Sequence, residues 1–295
     1  MELRVLHYFL AVAREQSISA AAQSLHLSQP ALSTQLKALE EELGKQLLIR
    51  KSKGSRKVTL TEEGMILRKR AQEILSLVKR TQEEISSPDE TIAGDVCIGA
   101  GETDIVRLFA RAAQSLQRQH PDIHYHISSG NAEYVLEYLD KGLIDFGLLF
   151  GQVDLQKYEA IPLPVRDSWG VLMRRDAPLA QKETVRPADL WDQPLIISHQ
   201  RSDDRRLAQW MQRDLSELHI VATYNLVFNA SLLVDEGLGY ALCFDKLINT
   251  RGSSLCFRPF APRLESTAYI IWKKYQVFSK AASAFLACLK QLTAE

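Results

Sequence analysis

The sequence predicts a mixed fold, and three features carry that prediction. Apolar residues recur at helical spacing through the first forty or so positions, one long amphipathic segment runs uninterrupted from Thr61 to about Ile85, and strand-like and helix-like runs alternate from Asp95 onward. The expectation is an all-α N-terminal module, a long linker helix, and an α/β remainder.

At 295 residues the chain exceeds one small core and suggests two or three domains. Its 46% hydrophobic and 24% charged residues are those of a soluble globular protein. No run approaches the roughly 20 apolar residues of a membrane span. The start MELRVLHYFLAVARE reads as an amphipathic helix rather than a targeting signal, so a cytoplasmic location is expected. Cys97, Cys243, Cys256 and Cys288 are scattered without a CxxC pair, which speaks against a zinc knuckle or disulfide framework and for small buried hydrophobes.

The zero net charge hides an asymmetry. Residues 1–86 hold 14 Lys and Arg against 10 Asp and Glu, whereas residues 95–295 hold 22 against 24. Six cations, Lys45, Arg50, Lys51, Lys53, Arg56 and Lys57, fall between Gly44 and Leu60 with no acid among them, as a polyanion partner requires.

The first helix is expected over Leu3 to Glu15, with Leu3, Leu6, Leu10 and Ala13 on one face. Ser17 or Ser19 can cap the second, whose Ala20, Ala21 and Ala22 allow close approach of a neighbour. Ser28 is a good N-cap and Pro30 belongs in a first turn, so a third helix starts near Gln29. Leu32, Leu36, Leu39 and Leu43 form its core stripe, and Gln29, Ser33, Thr34 and Lys37 lie on another face that suits base-pair edges. The following LLIRKSKGSRKVTL reads as a hairpin wing whose cations reach phosphates. Chemically, Gln29 can present a paired donor and acceptor to adenine, and Lys37 can reach guanine or a phosphate.

The run from Phe9 to Gly64 resembles the winged helix-turn-helix of LysR-type transcriptional regulators, and the resemblance extends over residues 1–64 without a gap. It departs from the family at Ala20 and Thr34, where members often carry larger basic or polar residues. The resemblance implies that the helix opened by Ser28 enters the major groove, with Gln29, Pro30, Ala31, Ser33, Thr34 and Lys37 toward DNA. Arg50, Lys53 and Arg56 in the wing would meet the backbone.

Thr61 is a plausible N-cap for the linker helix, with Glu62 and Glu63 in its first turn. Leu67, Ala71, Ile74, Val78, Thr81 and Ile85 step by fours and threes, the seam of a coiled coil. Leu67, Ala71, Ile74, Val78 and Ile85 are therefore the candidate dimer contacts, the alternative being that the seam packs on its own domain. Residues 86–94 have the composition of a hinge.

Beyond it, DVCIGA, DIHYHIS and DFGLLF read as strands separated by helices at Asp104 to Gln119 and Ala132 to Lys141. A second set follows: strands at WGVLM, PLIIS, IVATYNLVF and YALCF, with helices near Arg205 to Leu215 and Ala230 to Glu236. The chain then returns to the first set through AYIIWKK and a helix near Val277 to Leu292. LDKGLIDFGLL, RRDAPLA, PADLWDQPLII and LLVDEGLGYALCF are similar to the effector-binding part of the same family, which implies two lobes like those of periplasmic binding proteins. The expected division is a DNA-binding domain at 1–60, a dimerisation helix at 61–86, a hinge at 87–94 and an effector domain at 95–295. Its lobe I would hold about 95–161 and 267–295, and lobe II about 162–266.

In open α/β sheets, ligands settle beyond the carboxyl ends of strands. That rule selects residues 100–103, 128–131, 198–203 and a strand end at Phe228. The candidate effector contacts are Ala100, Gly101, Thr103, Ser128, Ser129, Asn131, Ser198 and Arg201, the hydroxyls serving equally well as helix caps. Arg201 would suit a carboxylate, while Glu102 would repel one or prefer an amine. His124 and His126 fall on the strand face opposite Ile123, Tyr125 and Ile127 and read as a solvent-facing pair rather than a metal site. No nucleophile elbow, phosphate loop or spaced acid pair is visible.

The expected protein is thus a ligand-responsive transcriptional regulator, with no enzymatic activity, metal or cofactor. Its expected partners are double-stranded DNA, a small-molecule effector, one or three further copies of itself (homodimer or homotetramer), and RNA polymerase as a further candidate; no membrane partner is expected. The alternatives are a solute-binding protein or enzyme using the two-lobed domain, and an architectural DNA-binding protein without an effector.

Overall fold

In a computed structural model of the chain, the described residues are 1–50, 57–86, 91–151, 153–199 and 205–294. They form two compact units, Met1–Pro88 and Asp89–Glu295.

The first unit opens with α1 (Leu3–Glu15), α2 (Ile18–Ser24) and α3 (Gln29–Leu43). Ser17 accepts from the Ala20 amide and caps α2, and Ser28 accepts from the Ala31 amide and caps α3. Gly44 ends α3 at φ 64°, the left-handed conformation glycine adopts without strain. The buried face of α1 is Val5, Leu6, Phe9 and Val12, while the expected Leu3 is 45% exposed. That helix is apolar on more than one side, and packing on α2, α3 and α4 selects the face. Ala21 and Ala22 are buried where helices approach closely, and the α3 stripe is Leu32, Leu36 and Leu39, with Leu43 exposed.

Two short antiparallel strands, β1 (Leu48–Arg50) and β2 (Val58–Leu60), form the base of the wing, so this module is not purely helical. Glu40 Oε1 accepts from the amides of Leu47 and Leu48 at 2.8 and 3.0 Å, fixing β1 to α3. Helix α4 (Glu62–Ser86) starts at Thr61, whose hydroxyl donates to Gln46 O and accepts from the Gly64 amide. Gly64 is dictated by packing, because a Cβ there would lie 2.2 Å from Leu47 O. The α4 seam divides in two. Leu67 and Ala71 are buried in the unit's own core with Ile74 packed against it, whereas Val78 is half-buried and Ile85 is 79% exposed. The core of α1, α2 and α3 needs a fourth wall, and the first half of the seam supplies it.

The second unit contains β3 (Gly94–Ala100), α5 (Val106–Gln117), β4 (Ile123–Ser129), α6 (Ala132–Asp140), β5 (Phe146–Phe150) and β6 (Tyr158–Arg174). It continues through β7 (Leu195–Ser198), α7 (Arg205–Met211), β8 (Ile220–Tyr224), α8 (Val227–Asp235) and β9 (Tyr240–Phe244). The last elements are β10 (Leu255–Pro259), β11 (Glu265–Lys273) and α9 (Lys280–Ala294). The strands run β4-β3-β5-β11-β6-β9-β7-β8, with β10 pairing the free stretch of β6. Strand β3 is parallel to β4 and β5, and β7 is parallel to β8 and β9, so each end of the array is a βαβ lobe.

The antiparallel pair β6 and β11 belongs to both lobes, running from Tyr158↔Lys273 to Ser168↔Glu265. Between Pro162↔Tyr269 and Arg166↔Thr267, residues 163–165 of β6 face Ala268 alone, which makes a bulge containing Pro164. One lobe centres on Ile98, Phe109, Phe146 and Phe285, the other on Trp169, Val171, Leu195 and Phe260.

Two elements differ from the sequence expectation. The run IVATYNLVF is a strand only to Tyr224, and α8 begins at Val227, so Phe228 lies in a helical first turn rather than at a strand end. This helix is apolar nearly all round, which in sequence imitates a buried strand. Strand β10 is not expected from the sequence because its run LCFRP ends in proline; among the described residues it pairs with β6.

Candidate nucleic-acid interface and effector cleft

The exposed face of α3 carries Gln29, Pro30, Ala31, Thr34 and Lys37, with Ser33 half-buried among them. Capping by Ser28 fixes where this helix starts, and burial of Leu32, Leu36 and Leu39 fixes its rotation, so the six are turned outward together. Two of them are already hydrogen-bonded. Ser19 Oγ donates to Gln29 Oε1 at 3.1 Å, which leaves the amide NH2 as the outward donor. The balanced donor and acceptor expected of Gln29 is thereby biased toward donation. Thr34 Oγ1 donates to Pro30 O at 3.0 Å, leaving its oxygen lone pairs for a partner. Arg50 closes β1 opposite Val58. Lys53 and Arg56 lie outside the described residues.

In the second unit, the loop after β3 and the ends of β4 and β7 converge as the strand-end rule expects. An outer compartment of ≈390 Å3 is lined by Ala100, Gly101, Glu102, Thr103, Ile127 and Ser129 from one lobe and by Val227, Lys246 and Leu247 from the other. A smaller inner one of ≈60 Å3 shares Gly101, Glu102, Val227 and Leu247 with it and adds Phe150, Trp169, Ser198, Tyr224 and Phe244. Glu102 spans the cleft: its Oε2 accepts a 2.5 Å hydrogen bond from the amide of Val227, the first residue of α8.

Of the expected contacts, Ala100, Gly101, Thr103, Ser129 and Ser198 line these compartments. Thr103 is only 7% exposed, and its hydroxyl is occupied: it donates to Asp167 Oδ2 at 2.5 Å and accepts from the Ile105 amide at 3.0 Å. Asn131 caps α6 by accepting from the Tyr134 amide. Ser128 lines neither compartment among the described residues. Arg201 lies outside the described residues. Phe150, Trp169, Tyr224, Phe244 and Leu247 were missed, since apolar residues inside strands and their following turns carry no local sign of facing a cavity. The alternation of glycine and alanine around Glu102 was the available signal for the Glu102 contact. A third, charged groove of ≈380 Å3 beside α5 is laced by ion pairs, including Arg107–Asp104 at 2.5 Å and Arg263–Glu265 at 3.1 Å.

His124 and His126 are exposed on β4, with His126 Nε2 3.3 Å from Asp95. Cys243 and Cys256 are buried on β9 and β10, two strands that flank β6 and so stand about 10 Å apart, beyond the roughly 7 Å that a disulfide spans. Burial pushes the Cys243 thiol up to about 12. Cys97 packs with the core on one face of the first lobe and Cys288 with the core on the other.

A capped helix pair with a wing, together with a two-lobed α/β domain enclosing a cleft, defines a DNA-binding regulator with an effector domain. Comparison with known proteins places the chain within that class. Residues 3–65 match the bacterial regulatory helix-turn-helix protein, lysR family, and residues 89–294 match the LysR substrate binding domain. The chain belongs to the LysR family of transcriptional regulators, which are not enzymes. It is 32% identical over 197 residues to the hydrogen peroxide-inducible genes activator of Pectobacterium carotovorum subsp. carotovorum, which covers 67% of this chain and 64% of that relative. The chain thus spans just under two thirds of that protein's length. It is 27% identical to the HTH-type transcriptional regulator YnfL of Escherichia coli (strain K12), over 97% of this chain and 96% of that one. Among solved structures, CbnR, a LysR family transcriptional regulator, superposes with a TM-score of 0.80 at 20% identity over the whole of both chains. Full-length CbnR in complex with its target DNA superposes at 0.78, with 21% identity, over 99% of this chain and 100% of that one. At these identities the structural likeness concerns the fold.

Proposed function

We propose that this regulator acts in the cytoplasm as a homodimer or homotetramer, and that a small molecule held between the lobes of its second unit sets how its paired helix-turn-helix modules engage DNA. The observation that carries this reading is the Glu102–Val227 contact. It joins the two lobes through the wall shared by both compartments, so any molecule entering there touches both lobes. A ligand that favours one lobe arrangement over the other shifts the population between them by its differential affinity. On the DNA side, Gln29, Pro30, Ala31, Ser33, Thr34 and Lys37 read the major groove, and Arg50, Lys53 and Arg56 hold the backbone. The second half of the α4 seam, Val78 to Ile85, together with the exposed Ile66 and Leu77, supports self-association, since apolar residues left exposed along a long helix favour a partner helix. Two copies would then read an inverted repeat. RNA polymerase is the partner through which the bound assembly would change transcription.

The test combines a metabolite panel, scored by melting temperature, with footprinting on operator DNA. A ligand that raises the melting temperature should change the footprint or the DNA bend. Melting shifts that leave the footprint, bend and transcription unchanged would refute the coupling.

The relatives' names bring peroxide to mind as an alternative signal. Cys243 does not support it, because its thiol is buried and held protonated.

A further inference from the structure

We infer that the turn joining β11 to α9 is a docking knob for a protein surface that offers an apolar pocket rimmed by carboxylates, and that it is where this regulator engages RNA polymerase. The inference rests on the reading that RNA polymerase is a partner, and concerns which surface of the chain meets it.

The knob is built against the local preference of the backbone. Gln276 N donates to Lys273 O at 3.2 Å, closing a four-residue turn whose third residue, Tyr275, has φ 61°. Glycine is the usual occupant of a left-handed third position, because a Cβ there strains the backbone. Here a tyrosine stands instead, 98% exposed, with Val277 90% exposed just after it. The Tyr275 ring and hydroxyl have no partner among the described residues. The frame beneath is stiff: Trp272 and Phe278, on either side of the turn, lie against the core of the first lobe with ring centroids 6.2 Å apart, and Phe278 stacks on Phe146 at 5.0 Å. Backbone strain that such a frame maintains under a wholly exposed side chain points to a function for that side chain.

The surroundings of the knob decide the partner. Lys274 N donates to Lys157 O at 3.0 Å, which sets the turn at residues 154–157 beside the knob and adds Leu155, 62% exposed. Residues 153–159 and 273–280 carry four lysines, Lys157, Lys273, Lys274 and Lys280, against two carboxylates, Asp154 and Glu159. Asp154 is engaged in its own turn, accepting from Gln156 N at 2.9 Å, and Lys157 and Lys274 form no ion pair among the described residues. Exposed apolar side chains ringed by cations are complemented by an apolar pocket ringed by anions. Duplex DNA supplies the charge but no pocket for Leu155, Tyr275 and Val277. A second copy meeting knob to knob would set lysines against lysines. The patch is also small beside the roughly 1,600 Å2 buried in a stable interface, which suits a transient contact rather than a permanent subunit.

The test titrates the full-length chain onto immobilised RNA polymerase holoenzyme from the same organism, without DNA, at several salt concentrations. Wild type should bind, and more weakly as salt rises. Tyr275→Gly should weaken binding at least about fivefold, as truncation of an interface anchor does, and Lys274→Glu should weaken it most at low salt. Glycine relieves the backbone while freeing the unfolded chain, so Tyr275→Gly should keep its melting temperature within about 4 °C of wild type. Operator affinity and sedimentation mass should be unchanged in both variants. If both variants bind polymerase as wild type does, or if Tyr275→Gly melts well below that limit, the knob is overturned while polymerase stands as the partner. If wild type itself does not bind, the knob and the polymerase reading fall together, and the coupling of effector to DNA is still judged by its own footprints. A loss of operator affinity would give the surface to DNA and a fall in mass would give it to a second copy, and either overturns the inference.

Discussion

Replacing Thr103 by valine tests the claim that this residue is structural rather than a ligand contact. Thr103 and Asp167 are 7% and 5% exposed, and the threonine hydroxyl both donates to the Asp167 carboxylate and accepts from the Ile105 amide. Valine keeps the shape but deletes both bonds. Losing a donor to a charged acceptor costs about 1.5–3 kcal/mol, and leaving a buried amide unsatisfied adds about 1 kcal/mol. The expected destabilisation is therefore about 2–4 kcal/mol. At roughly 2–4 °C per kcal/mol for a unit of this size, the melting temperature should fall by about 4–16 °C. Tryptophan fluorescence reads the right unit, because Trp169, Trp191, Trp210 and Trp272 all lie in Asp89–Glu295. Urea titrations of wild type, Thr103→Val and Thr103→Ser should show the serine variant recovering most of the loss, since it restores the hydroxyl. A valine variant within about 0.5 kcal/mol of wild type, or a serine variant equally damaged, would refute the bonding scheme.

Further outcomes follow from other parts of the structure. Lys37→Ala should weaken operator binding, whereas Arg50→Ala should weaken all sequences about equally and lower the salt slope by about one, both measured by titration at several salt concentrations; unchanged affinity in both would contradict the interface. Leu77→Glu with Ile85→Glu should reduce the mass seen in sedimentation while leaving helicity intact, because Ile85 is 79% and Leu77 36% exposed; an unchanged mass would count against the α4 seam. In the folded chain burial holds Cys243 near 12, against 9.0 in the unfolded chain. Its contribution to stability is therefore present below about pH 9 and lost as pH rises toward 12, and Cys243→Ala should flatten that alkaline limb in urea midpoints. At pH 8 Cys243 should resist maleimide while the half-buried Cys97 and Cys288 react, and peroxide should leave DNA binding unchanged.

Much of the N-terminal unit was legible because its signals are local. Ser28, Pro30 and Gly44 mark the ends of α3 by capping chemistry, and Thr61 marks the start of α4 in the same way. What was not legible depends on which of several apolar faces meets a neighbour. In α1 this placed Leu3 inside when Val5 and Phe9 fill the core, and in α4 it offered Leu67 and Ala71 to a second chain when the first core encloses them. The strand-end rule found one wall of the cleft, including Gly101 and Ser129, because it follows from sheet topology. The facing wall, Tyr224, Phe244 and Leu247, comes from residues more than 90 positions away along the chain, and only folding brings Glu102 to Val227.

The bulge in β6 also limits how this chain can change its length. Residues 163–165 stand opposite Ala268 alone, and the alternation of faces on either side depends on that local mismatch. Removing one residue at the bulge would turn 166–174 over, exchanging the side chains that fill one core for those of the other face. Val171 and Met173, now buried in one core of the second lobe, would trade places with Leu172 in the other. Insertions and deletions should therefore be excluded from this short stretch and tolerated in the turns at the far ends of the two lobes, and a systematic single-residue deletion scan would show a sharp minimum of viability at 163–165.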